Sequence, residues 1–314
     1  MQVGRLAHAY LFLGPEGVGK ASTARALAAA LNCESLREDG DACGRCPSCR
    51  RLAAGTHPDY LEIFPTSEGR QPQIKIERIR DLRRLTAYPP LGGGWRVVLI
   101  KPAEALNDAA ANALLKTLEE PPEQNLLVLT AGVEDNLFPT VVSRCQKLAF
   151  TPLPLPLIRD ELARRGAEPA QAGLLAALSG GSLARALALN YDEMVEKRRQ
   201  VLADLEQLAD GNTAPLLDWA QRLAKQAGEA EAFLGLAALW HRDLILLGQG
   251  APAELLANRD CLPEMEAACR RQRPGVWFRR FAAIAAAQRH LRANLNPELT
   301  LDFLGLHLRG GPTP

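Results

Sequence analysis

No apolar run in this 314-residue chain approaches the roughly 18 residues that a membrane-spanning helix needs. Polar residues interrupt the N-terminus before a signal-peptide core can form. Both absences predict a soluble, cytosolic chain with no membrane partner. A surplus of either charge is missing too: 37 Lys and Arg stand against 36 Asp and Glu, for a net charge of +1. That balance excludes a protein built to wrap DNA by electrostatics alone, and leaves room for local basic faces and nucleic-acid contacts shared with partners. Nor do seven cysteines in a cytosolic setting predict a disulfide framework. What is present is 47% hydrophobic content, ample for packed cores, in a length that suits about two domains.

Two more absences are local, and both strike one site. Gly14-Pro-Glu-Gly17-Val-Gly19-Lys20 carries the glycines and lysine of the phosphate-binding pattern G-x-x-x-x-G-K-[ST]. In that pattern backbone N–H groups close around phosphate oxygens, Lys meets the terminal phosphates, and the final hydroxyl ligates Mg²⁺. Ala21 stands where the hydroxyl belongs. Ser22 is rotated about 100° further round the helix and is a poor substitute. Tyr10–Leu13 reads as a strand and Lys20–Leu31 as an Ala-rich helix, so strand, loop and helix come in the required order. A Gly-rich turn with a chance lysine is the plain alternative, and the agreement of motif with flanks argues against it.

Hydrolysis also needs an acid at the end of a buried strand to hold Mg²⁺, normally followed by a carboxylate that activates water. Val97-Val-Leu-Ile100 supplies the strand, but Lys101-Pro102 ends it. Glu104 arrives two residues late and is expected on a different bearing. The two losses touch the same ion and the same water, so ATP or ADP can be held at Gly14, Gly17, Gly19 and Lys20 but is not expected to turn over. A misplaced strand is the plain alternative.

Cys33, Cys43, Cys46 and Cys49 form C-x9-C-x2-C-x2-C, with Gly44 and Pro47 in the turns between. Four thiolates so spaced suit tetrahedral Zn²⁺ in a closed structural site, which leaves no coordination position for substrate. His57 is a nearby competitor ligand in a loop-like setting. Cys145, Cys261 and Cys269 are scattered and read as apolar packing.

Strand signals at Tyr60–Phe64, Arg96–Ile100 and Leu126–Thr130 alternate with helix signals at Ile74–Ala87 and Asp108–Glu120. The pattern predicts an α/β domain over 1–150 with a parallel sheet covered on both faces and the zinc module at 33–49 inserted. Pro152, Pro154 and Pro156 punctuate the chain, and strand signals then vanish. Short helices at Leu157–Arg165, Ala170–Leu178 and Ser182–Leu189, with Ser182 as an N-cap, predict a small helical domain over 151–209. After a polar break at Asp210–Thr213, longer helices near Pro215–Lys225, Glu229–Leu247 and Trp277–Leu295 predict an all-α domain over 210–314. Trp219, Trp240 and Trp277 read as its core rather than as a cofactor box.

Ser143-Arg144-Cys145 lies just before the first domain ends. Alone, an arginine at a strand edge is an ordinary solvated cation. Together with Gly14-Pro-Glu-Gly-Val-Gly-Lys20, the four-cysteine insertion and Asp108-Ala-Ala-Ala-Asn-Ala-Leu-Leu-Lys-Thr-Leu-Glu-Glu-Pro-Pro122, it resembles the bacterial clamp-loader AAA+ family. Gly180-Gly-Ser-Leu-Ala-Arg-Ala-Leu187 and Asn294-Leu-Asn-Pro297 extend the likeness more weakly. The resemblance implies an AAA+ domain, a small helical lid and a helical collar in a five-membered ring. That ring opens a sliding clamp and places it on primer–template DNA. The lost strand-end carboxylates set this chain beside members that do not turn over ATP, partnered by delta and gamma/tau subunits. The resemblance further implies that Arg144, with Ser143, reaches a neighbour's ATP as an arginine finger in trans.

The sequence departs from the family in two places. Ala184 stands where motor subunits carry the lid's ATP-sensing arginine, with Arg185 displaced by one residue. The chain also begins at Met1 shortly before the first strand, where family members have a helical segment over the adenine, which suggests a truncated or late start. Two rival readings remain: an active gamma/tau-like ATPase, opposed by Lys101-Pro102, and a zinc-dependent nucleic-acid reader, opposed by a module that has Arg37, Arg45, Arg50 and Arg51 but no aromatics for stacking.

Overall fold

The computed structural model describes residues 6–66, 72–209, 213–226 and 228–309, in two compact units that meet in sequence at Pro152 and Leu153. Most of the break expected at 210–213 lies outside the described residues. Among the described residues, no helix is long and apolar enough to cross a membrane.

The first unit runs β1 (Ala9–Leu13), α1 (Lys20–Leu31), α2 (Pro47–Ala53), β2 (Tyr60–Ile63), α3 (Ile76–Thr86), β3 (Arg96–Ile100), α4 (Asp108–Glu119), β4 (Asn125–Ala131), the one-turn α5 (Pro139–Val142) and β5 (Gln146–Ala149). The strands pair in parallel in the order β2-β3-β4-β1-β5. Every residue of β3 and β4 is buried, as befits apolar strands covered on both faces. Alternate side chains point to opposite sides: Val97 and Leu99 pack with Leu27, Ala28 and Leu52 of α1 and α2. Val98 and Ile100 pack with Ile79, Leu82, Leu114 and Leu118 of α3 and α4. The sheet is thus the α/β architecture that the sequence predicts. β5 is an edge strand exposed along its length, which is why it carries no apolar run.

One buried ion pair fixes the loop between α3 and β3. Arg96 Nη2 lies 3.3 Å from Asp59 Oδ1, with side-chain exposures of 1% and 0%. Arg96 also donates to the carbonyls of Leu85, Tyr88 and Pro89, while Asp59 accepts from the N–H groups of Leu91 and Gly92. A charge pair sealed from water depends on partners for its remaining donors and acceptors; here the turn supplies them for both Nη groups and both carboxylate oxygens, while Arg96 Nε is buried without one.

The second unit is helical throughout its described residues: α6 (Leu155–Arg164), α7 (Pro169–Leu178), α8 (Leu183–Ala188), α9 (Tyr191–Ala209), α10 (Thr213–Lys225), α11 (Glu229–Gly248), α12 (Leu262–Arg271), α13 (Pro274–Arg292) and α14 (Pro297–Leu308). Ser182 caps α8, its hydroxyl accepting from the Arg185 N–H. Ile158, Leu162, Leu175 and Ala186 make a small core for α6, α7 and α8. Trp219, Trp240 and Trp277 lie in a larger one with Phe233, Leu244 and Leu301, where Cys261 and Cys269 also pack. Three helices, α9, α12 and α14, go beyond the sequence expectation. α9 hides its character because it is charge-rich and buries Arg198, which pairs with Asn258 and Asp260.

Candidate functional site

The phosphate-loop residues lie between β1 and α1. β1 is followed by Gly14, whose φ is +146° and where an added Cβ would stand 2.1 Å from the Phe150 carbonyl oxygen, so only glycine fits. Gly19, at φ +104°, is the N-cap of α1. The Lys20 ammonium donates to the Gly14 carbonyl and, at 2.8 Å, to that of Pro15. Burial holds Lys20 below the usual ammonium range, against the opposing charges of Glu104 and Glu16. Ala21 packs against the apolar cluster around Phe12 and offers no metal ligand, and Ser22 is exposed to solvent.

Lys101 does not face an empty acid site. Its ammonium pairs with Glu62 Oε2 of β2 at 2.7 Å and lies 4.8 Å from the centre of the Phe64 ring. Glu62 Oε1 accepts from Arg25 of α1 at 2.6 Å and from the Tyr60 hydroxyl at 2.8 Å. Burial opposes ionisation of Glu62, but the hydrogen bonds from Lys101, Arg25 and Tyr60 overcome it and hold the carboxyl down at about 2.

Glu104 is held at the end of β4. A 3₁₀ turn at Ala103–Ala105 brings Glu104 Oε1 to 2.5 Å from the Gly132 N–H at the end of β4. Its second oxygen is buried without a hydrogen-bond partner, and it is the leading charge acting on Lys20. Spacing along a strand does not show this contact, because Glu104 lies in the turn beyond β3.

The four cysteines also assemble. Their sulfurs lie within 4.8 Å of one another, with Cys49 and Cys33 3.8 Å apart. Tetrahedral zinc at about 2.3 Å from each sulfur implies separations of about 3.8 Å, so the quartet fits a metal ion. Backbone N–H groups of Cys43, Cys46 and Cys49 donate to the sulfurs of Cys33, Cys43 and Cys46, and the last of these bonds caps α2. N–H donation from Arg45 and Cys46 lowers the Cys43 thiol to about 6, whereas burial pushes Cys49 up to about 12. His57 stands outside the quartet. Its Nδ1 accepts from the Asp59 N–H and its Nε2 meets Ser48 Oγ at 3.2 Å. Although Ser48, His57 and Asp59 have the residue types of a hydrolytic triad, the Asp59 carboxylate is spent on Arg96 and the turn.

Arg144 follows Ser143, the C-cap of α5. Its Nη2 lies 2.6 Å from Glu119 Oε1 at the end of α4, and its Nη1 donates to the Thr140 carbonyl at 3.0 Å and Ser143 Oγ at 3.4 Å. The side chain keeps 35% of its exposure. Cys145 packs against the sheet core, and burial pushes its thiol up to about 11.

Residues 1–154 match the family described as DNA polymerase III, delta subunit. The DNA polymerase III subunit delta' of Pseudomonas aeruginosa is 39% identical over 278 residues, covering 82% of this chain and 84% of that protein. The chain belongs to the DNA polymerase III delta-prime family. The delta' of Bacillus subtilis matches over nearly the full length, 29% identical across 98% of this chain and 92% of that protein. The tau subunit of Escherichia coli is 38% identical over 207 residues, 64% of this chain and 31% of that longer protein. Membership of the delta-prime family carries the role of a clamp-loader subunit. The roles of individual site residues rest on the geometry above.

Proposed function

We propose that this chain serves the polymerase III clamp loader as a subunit that turns over no ATP of its own and lends Arg144 to a neighbouring gamma/tau ATPase. The observation that carries this reading is the Lys101–Glu62 pair at 2.7 Å: a neutralised ammonium occupies the strand end where a magnesium-binding carboxylate is required. Ala21 removes the second oxygen ligand. ATP or ADP binds passively, if Lys20 exchanges its loop carbonyls for phosphate oxygens. Arg144 is preorganised and partly exposed, as a group must be to stabilise charge developing on a phosphate across an interface. Ser143 orients it. Cys33, Cys43, Cys46 and Cys49 hold a structural Zn²⁺.

In this reading residues 151–209 form a lid and 210–314 a collar. The partners are the delta and gamma/tau subunits, and through them the sliding clamp and primer–template DNA in the cytoplasm. A second reading, an ATPase of the gamma/tau kind, has one observation behind it: Glu104, with its unpartnered oxygen, is an acid near Lys20.

Two measurements decide. The purified chain with MgATP releases phosphate only at background; turnover abolished by both Lys20→Ala and Glu104→Gln would transfer the function to the second reading. In the reconstituted complex, Arg144→Ala leaves assembly intact and removes the stimulated ATPase of the adjacent motor site. An unchanged rate would end the trans role.

A further inference from the structure

We propose that Glu119 positions Arg144 for its work on a neighbour's phosphate, an inference that rests on the trans reading of that arginine. Glu119 is the last residue of α4, where the helix dipole disfavours a carboxylate. Pro121 and Pro122 prevent the helix from continuing. An acid at this end gains nothing from its own helix, and its carboxylate is directed instead at Arg144 Nη2, 2.6 Å away.

The hold has three points. Glu119 takes one Nη2 donor, while the Thr140 carbonyl and Ser143 hydroxyl take Nη1. A guanidinium has five N–H donors, so among the described residues the Nε–H and one Nη2–H remain for an anion. Such an arrangement orients the group without hiding it. A long, rotamer-rich side chain is thereby fixed before the phosphate arrives, and preorganisation of this kind lowers a barrier without tightening ground-state binding.

The test uses the full chain in the complex reconstituted with gamma/tau, delta, clamp and primed DNA. It compares wild type, Glu119→Ala, Glu119→Gln, Arg144→Ala and the Glu119→Ala/Arg144→Ala double variant. The part of the stimulated ATPase that Arg144→Ala removes is the reference. Glu119→Ala lowers the kcat of that part about fivefold, within what one exposed ion pair can supply, and leaves the KM for ATP unchanged. Glu119→Gln, which keeps an acceptor oxygen, falls between it and wild type. The double variant is no slower than Arg144→Ala alone, a non-additivity that a merely structural role would not produce. Complex assembly and thermal midpoint stay at wild-type values. Unchanged or faster turnover in Glu119→Ala, or losses that multiply in the double variant, would overturn the positioning role while leaving Arg144 its function. A complex indifferent to Arg144→Ala overturns both.

Discussion

The ammonium of Lys101 at the end of β3 and the carboxylate of Glu62 on β2 are joined at 2.7 Å, with Arg25 and Tyr60 completing the shell around the acid. Three elements are cross-linked by one carboxylate: α1 through Arg25, β2 through Glu62 itself and β3 through Lys101. The end of β3, where a hydrolase would hold its metal acid, is here given to structure. Glu62 is largely shielded, with 16% of its side chain exposed, so these bonds are less screened than surface pairs.

Acid should expose this cross-link. The Glu62 carboxyl is held at about 2 in the folded chain, against about 4.3 in an unfolded one. Because the folded value is the lower, its stabilisation is present in full above about pH 4.3 and is lost as the pH falls toward 2. Glu62→Gln is expected to cost on the order of 2 kcal/mol at pH 7. Urea midpoints of the two proteins should converge between roughly pH 5 and 2. A gap that stays constant with pH would show that the ionised form of Glu62 contributes nothing.

Removing Asp59 should be costlier than removing any exposed charge. Arg96 would be left buried with carbonyl partners only, and the N–H groups of Leu91 and Gly92 would lose their acceptors. Breaking one side of a buried pair typically costs about 3–5 kcal/mol. Asp59→Ala is expected in that range by urea denaturation, and Asp59→Asn, which retains an acceptor oxygen, below it. A loss under about 1 kcal/mol would mean that water reaches Arg96 once the acid is gone.

What the sequence made legible was local. α1 and β3 have the bounds their residues predict, because a Gly-Lys start and an apolar run are contiguous signals. The cysteine quartet was legible from spacing for the same reason. α2 was hidden within it, since Pro47 and Cys46 look like turn residues until Cys46 is seen to cap a helix. β5 was hidden because an exposed edge strand needs no apolar alternation. The partners were least legible of all. Glu62 meets Lys101 only through the β2–β3 register, and Glu119 meets Arg144 across 25 residues; nothing local in either sequence announces the pairing. Arg96 carried a faint signal, a charge opening an otherwise apolar strand.

Metal removal should act on stability rather than on chemistry. In the proposed zinc site four thiolates would leave no coordination position for a reactant, and metal binding of this kind is coupled to folding. Cys46 caps α2 and belongs to the cysteine quartet at once, while Ser48 in the same turn meets the ring of His57. His57 in turn accepts from the N–H of Asp59, so loosening the quartet should loosen the anchor of the buried Arg96 pair. The expected result of complete chelation is release of one zinc per chain and a thermal midpoint lower by on the order of 5–10 °C, at a few °C per kcal/mol for a domain of this size. Cys49→Ser should bind zinc more weakly and start from the lower midpoint. Because the step proposed for Arg144 does not pass through the metal, the stimulated ATPase of the complex at 25 °C should survive chelation with its KM unchanged. An unchanged midpoint after full metal loss would show that backbone N–H···S bonds alone hold the module.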